Sequence, residues 1–339
     1  MIGNARAIAV KMHAMIRLHV DYVTDPDSSS DPIGFVLDAI AQPGSLLILL
    51  TGALVVVAAL VAWARWRPLE AARLRFVERT NTYHEFLPWI IRLSVGLVLI
   101  GAGLSRALVL PNVEADALPA FVLTATGFLL LLGLAVRPAA LVALGLYLVT
   151  LVLHPEAVMM LDVAGGLAVA AILGPGRPSV DDLLRAAFPR GPGTRAATEN
   201  LGADRYDDVV PLLVRLGLGG AFVASGIVDK LLIHEQALAA VEKYGLTSVV
   251  PVSAEMWVVG AALVETALGL AIIFGVLTRF SAVVGFAVLT QALFALPDDP
   301  VIAHVGLFGL SSMLVILGGG RWSLDRLVLA RLGERLRRR

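Results

Sequence analysis

Nine apolar runs of roughly bilayer-crossing length dominate the sequence: 45–64, 88–110, 119–136, 138–154, 159–175, 211–233, 256–277, 281–297 and 301–318. A hydrocarbon core about 30 Å thick takes roughly 20 apolar residues in helical form, so the chain is expected to be an all-α integral membrane protein. Composition agrees. Of 339 residues 58% are hydrophobic and 16% charged, where soluble domains carry roughly 25% charge. The net charge is zero, which gives no signature of nucleic-acid binding. There is no cysteine, which excludes disulfides, thiol redox chemistry, cysteine-ligated zinc and iron–sulfur clusters. The N-terminus lacks the charged, apolar and small-residue succession of a signal peptide, so targeting is expected to fall to the first span.

Lysine and arginine counts on alternate loops orient such a chain. The segments 65–85, 137, 175–208, 279 and 319–339 hold 19 basic residues, the loops on the other side hold 6, and Arg92 and Arg215 lie inside spans. This bias predicts a plasma-membrane protein with an outside N-terminus and a cytoplasmic C-terminus. The tail "SLDRLVLARLGERLRRR" reads as an amphipathic helix with arginines against anionic headgroups.

Two phrases are nearly identical: "ILGPGRPSVDDLL" at 172–184 and "ILGGGRWSLDRLV" at 316–328. Glycines stop one helix, an arginine follows, and Ser179 or Ser323 caps a new helix with Asp181 or Asp325 near its positive end. The phrases close a longer duplication. Aligning 90–110 with 213–233 puts Arg92 on Arg215, Gly96 on Gly219 and Gly103 on Gly226; aligning 133–145 with 275–287 puts Arg137 on Arg279. Four spans, 88–175, recur as 211–318. An even number of spans per copy makes the copies parallel repeats about an axis along the membrane normal. The expected division is an N-terminal arm and linker (1–44), an extra span with a basic connector (45–87), a first unit (88–187), a linker (188–208) and a second unit with its tail (209–339).

The pattern resembles the DoxX/DoxD-like family of small four-helix membrane proteins. The second copy carries the whole motif: Arg215, Gly219, Gly226 and Lys230, then "LVETALGLAIIFGVLTR" with Glu265, Gly269, Gly275 and Arg279, then "GGGRWSLD". The first copy departs from it, with Leu123 at the glutamate position and Ala107, next to Arg106, at the lysine position. The resemblance implies a four-helix fold. For some members it also implies a link to redox complexes, as in the small subunit of thiosulfate:quinone oxidoreductase.

Ionisable residues within spans are costly and need a reason. Glu265 falls near the middle of its span, and Arg215 and Lys230 each lie about 10 Å from its depth along the axis, so spacing does not choose its partner. One reading is a polar pocket between spans 211–233 and 256–277 for a quinone headgroup, an anion or a proton. The other is a buried ion pair that fixes helix register. Arg92, with no matching carboxylate, reads as a snorkelling anchor. Asp229, His154, His304 and Asp162 are secondary candidates. His154 and His304 lie near the ends of spans in different copies and do not form a duplicated pair, so haem is not expected. No catalytic constellation or metal set is read, and catalysis by this chain alone is not expected. The loop "HEQALAAVEKYGLTSVVP" either covers a pocket mouth or bridges two spans. Small-residue runs such as "LGLGGAFVASG" read as packing seams.

Residues 8–22, "IAVKMHAMIRLHVDY", alternate apolar and polar. They form either a strand that pairs with a partner protein or an interfacial helix; both suit attachment to other subunits. The sequence thus points first to an integral subunit of a quinone-linked redox complex, and second to a membrane scaffold that binds partners without redox chemistry. A solute carrier is the weakest of the three, because the copies are asymmetric in their polar residues.

Overall fold

The computed structural model describes residues 31–66, 70–108, 113–188, 203–297 and 300–329. The arm 8–22 and the tail beyond 329 lie outside the described residues. Within them the protein is all helix. An elbow of α1 (Pro32–Ala41) and α2 (Ser45–Trp66), bent by 91°, is followed by the short polar α3 (Glu70–Asn81). The first unit is α4 (Leu87–Leu104), α5 (Ala117–Leu132), α6 (Val136–Leu153) and α7 (Leu161–Leu173), and α8 (Val180–Ala187) follows its closing phrase. The second is α9 (Ala203–Ala224) with a π-helical extension Ser225–Leu232, the short α10 (His234–Lys243), α11 (Ala254–Phe274), α12 (Thr278–Ala295) and α13 (Val301–Leu317).

All nine apolar runs are helical, yet length separates them. Among the described residues six stretches are long and apolar enough to cross a bilayer, and the bent pair α1–α2 makes a seventh. The other two, α5 and α13, have 16 and 17 residues. Gly133 stops α5 in the left-handed conformation, and Pro300 and Gly318 bracket α13. The linker reading of 1–44 also needs correction. Asp31, the last acid of the "TDPDSSSDP" stretch, accepts a hydrogen bond from Gly34 N (3.0 Å) and starts α1, which buries Phe35 and Ala39.

Contacts between the units show how they are oriented. Gly165 of α7 meets Gly217 of α9 while Leu161 packs on Gly220, so α7 and α9 run antiparallel. The equivalent pair behaves the same way: Gly309 abuts Ser94, and Ile302 packs on Gly101. Within the first unit, Gly166 packs on Val95 and Gly176 on Pro88, so α7 is antiparallel to α4 too. Helices α4 and α9 therefore run the same way, and the units are parallel. Each unit's last helix packs on the other unit's first, burying Leu99, Val163, Leu167, Leu218, Leu310 and Met313 in one continuous core. The small-residue runs are seams, as read: Gly96 lies on the Gly127 carbonyl and Gly219 on that of Gly269.

The closing phrases do more than cap their own helices. Ser179 Oγ accepts from Asp182 N as a cap should (3.2 Å). The aspartates, however, reach back across their bundles. Asp325 accepts from Leu277 N (2.6 Å), Thr278 N (2.8 Å) and Thr278 Oγ1 (2.8 Å), and Asp181 from Ala135 N (3.1 Å). Each thus caps the third helix of its unit. Leu277 (φ 47°) and Ala135 (φ 49°) sit in the left-handed region that disfavours side chains, and the carboxylates hold those turns. Asp325→Ala is expected to cost about 1–2 kcal/mol, more than Asp181→Ala, and thermal unfolding of both variants in one detergent checks the order.

The cation held by each phrase is not its own arginine. Arg177 is exposed and pairs with Asp182, and Arg321 lies 3.7 Å from Asp208. The held cations are Arg92 and Arg215, from the first helix of each unit. Arg92 is buried, not snorkelling: it donates to the carbonyls of Leu130, Leu131, Pro175 and Pro178. Those acceptors are carbonyls of a helix end and of the phrase itself, of which Leu130 also accepts from Gly133 N (3.0 Å), and a buried cation complements them.

Candidate functional site

At the opposite end of the second unit, local helix geometry gathers the polar residues. Trp257, Ala261 and Glu265 recur every four residues and share one face of α11. Facing them, α9 loosens into π winding from Ser225, whose five-residue spacing brings Lys230 back over Ser225. The Lys230 ammonium lies 2.8 Å from Glu265 Oε2, 3.3 Å from Asp229 Oδ2 and 3.2 Å from Ser225 Oγ.

This cluster lines a cavity of about 140 Å³. Phe222 and Trp257, the aliphatic face of α12 (Val288, Leu289, Ala292) and Leu307 make most of its wall. His304 of α13 joins the lining, with Nδ1 3.4 Å from the Pro300 carbonyl, and the first unit contributes Met159. Ala237, Ala240 and Val241 of α10, with Leu246, also line it, so the loop after α9 is a cover rather than a simple bridge. The cover is itself held from outside the two bundles, where Phe35 of α1 stacks on His234 (4.0 Å, 6°), and just past α1 Gln42 Nε2 donates to Glu255 Oε2 at the start of α11 (3.1 Å).

Of the residues singled out from sequence, Lys230, Glu265, Asp229 and His304 come together. The others do not. Arg215 is at the closing-phrase end, its guanidinium nitrogens 3.3 and 3.4 Å from the Trp322 carbonyl, so Lys230 is the partner of Glu265. His154 lies 3.4 Å from Glu156 at the start of the Pro155–Met160 turn. Asp162 is buried at the junction of the units, against Gly306. Sequence reasoning missed Ser225, Trp257 and Met159. The eight-residue spacing of Trp257 from Glu265, two turns along one helix face, was a usable signal; nothing local announced Met159, which arrives from the other unit.

The family comparison falls on this bundle. Residues 210–298 match the DoxX family model. Over this stretch the chain is similar to the DoxX family. The matched stretch runs from α9 to just past the end of α12, so the DoxX segment includes Arg215, the Lys230–Glu265 pair and the cover, and leaves out α13. No curated protein and no solved structure matches the chain. In the first unit, outside the DoxX match, the equivalent position is apolar: Leu123 is fully buried, and α4 ends at Leu104 without a π turn.

Proposed function

We propose that this protein is an integral subunit of a redox assembly, in which the DoxX cavity holds the ring headgroup of a quinone while partner subunits carry the redox centres. The carrying observation is the charged cluster of Lys230, Glu265 and Asp229 lining a mostly apolar cavity inside a membrane bundle. Ligand sites of this kind pair apolar walls with a few placed polar groups. A dry cavity of about 150 Å³ takes a benzene ring, which suits the size found here. On this reading the first unit is a degenerate DoxX-like copy whose site has been filled by Leu123. The protein lies in the plasma membrane with a cytoplasmic C-terminus, as the basic loops favour.

Tetramethyl-p-benzoquinone titrated into the full-length protein in lipid nanodiscs is expected to quench Trp257 fluorescence saturably. Quenching should vanish in Trp257→Phe, and in Ala261→Phe, whose ring fills the cavity. Linear, non-saturating quenching shared by the wild type and Ala261→Phe sinks the proposal. A scaffold role is the second reading, favoured by α2, whose apolar residues from Leu46 to Val61 are largely exposed and which packs appreciably only on α1. On that reading Glu265→Gln leaves complex formation intact, and proteins purified with the chain from native membranes lack redox centres and quinone.

A further inference from the structure

An inventory of hydrogen-bonding capacity at the cavity narrows the ligand. Lysine has three donors and no acceptor. Lys230 donates to Ser225 Oγ at 3.2 Å and Asp229 Oδ2 at 3.3 Å and is ion-paired with Glu265 Oε2 at 2.8 Å. Three protein oxygens thus crowd the ammonium on the side where a ligand would compete for it. The Glu265 oxygen that faces Lys230 is fully buried, while the residue still lines the cavity. The charged group presented to a ligand is therefore the rest of the Glu265 carboxylate, which only accepts.

We infer that the site selects a hydrogen-bond donor, holding a dihydroxylated ring of the hydroquinone class in preference to the oxidised quinone. This rests on reading the cavity as a site for a ring headgroup. A hydroxyl on the ring donates to Glu265 in a charge-assisted bond, roughly twice as strong as a neutral one. A quinone carbonyl in the same place sets acceptor against acceptor, and a buried acceptor left unpaired weakens binding on the order of tenfold. The remaining polar groups of the wall do not reverse this. The Trp257 indole N–H donates equally well to a carbonyl or to a hydroxyl oxygen, and His304 has its Nδ1 on the Pro300 carbonyl. Only the carboxylate distinguishes them. The same accounting disfavours an anion, since two acids surround one base.

The test compares tetramethyl-p-benzoquinone with its hydroquinone on the full-length protein in nanodiscs without oxygen. The quinone is followed by Trp257 quenching and the hydroquinone by relief of that quenching. The hydroquinone is expected to bind roughly tenfold tighter. Glu265→Gln, whose amide both donates and accepts, should shrink the preference below about threefold. Ser225→Ala frees one ammonium hydrogen, and should tighten the quinone while leaving the hydroquinone unchanged. Quinone binding as tight as hydroquinone binding in the wild type overturns the inference and leaves the cavity reading standing. If neither form binds, both fall. Should Glu265→Gln fail to fold, Ser225→Ala decides by itself, and no gain in quinone affinity counts against the inference.

Discussion

Arg92→Met is expected to destabilise the protein by about 3–5 kcal/mol, far more than the loss of a surface anchor. The side chain is 3% exposed and joins three segments. Its Nε and Nη2 donate to the last carbonyls of α5, at Leu130 and Leu131 (both 2.9 Å), and its Nη1 to Pro178 (2.9 Å) and Pro175 in the closing phrase. Methionine fills the volume but takes the guanidinium's donors away from four carbonyls, leaving Leu130 with its bond from Gly133 N (3.0 Å), and the positive charge that complements the α5 terminus is gone. Lysine keeps the charge but not the fork, so Arg92→Lys should fall between methionine and wild type. Arg215→Met should cost less, because the equivalent cage offers the Trp322 carbonyl at 3.3 and 3.4 Å. Thermal unfolding of the variants in one detergent reads the order. If Arg92→Met melts with the wild type, the cage contributes nothing and the arginine is an ornament of the helix.

Gly165→Val is the second large effect, at about 3 kcal/mol or outright failure to fold. A Cβ on Gly165 lies 2.7 Å from the Gly217 Cα and 3.0 Å from the Leu213 carbonyl oxygen; one on Gly217 lies 3.0 Å from the Gly165 Cα. Both obstacles are backbone, so no rotamer relieves them, and the helices must separate. Small residues let membrane helices approach closely enough for dispersion to hold them together. Gly145 and Gly260 are the controls. A Cβ at either meets nothing within 4 Å, and alanine there should be neutral or stabilising by up to about 1 kcal/mol. The comparison is read as the monodisperse fraction after solubilisation and the melting temperature. A Gly165→Val protein as stable as Gly145→Ala would remove the close seam from the account.

The fold was largely written in the sequence, because hydrophobic length and repeated glycines are one-dimensional signals. Gly96 with Gly127, and Gly219 with Gly269, recur because two backbones touch there in each copy. The site was only half legible. Glu265 was visible as an acid in a span, but its partner was not, since Arg215 and Lys230 sit at similar axial distances from it. The choice is made by π winding at Ser225–Leu232, which turns Lys230 toward Glu265 and has no plain sequence signature. Arg92 misled for a related reason: its partners are main-chain carbonyls, present at every residue and so invisible in a search for opposite charges. The aspartates of the closing phrases misled too, being placed correctly in sequence yet aimed at the residue just before a helix, 46 or 48 positions earlier.

The elbow at Gln42–Gly44 has a mechanical meaning. Among the described residues α2 packs appreciably only on α1, and α1 leans both on α10 through the Phe35–His234 rings and on the start of α11 through Gln42 and Glu255. A sideways push on that outlying rod is therefore delivered to two places at once, the ceiling above Lys230 and Glu265 and the first turn of the helix that carries Glu265.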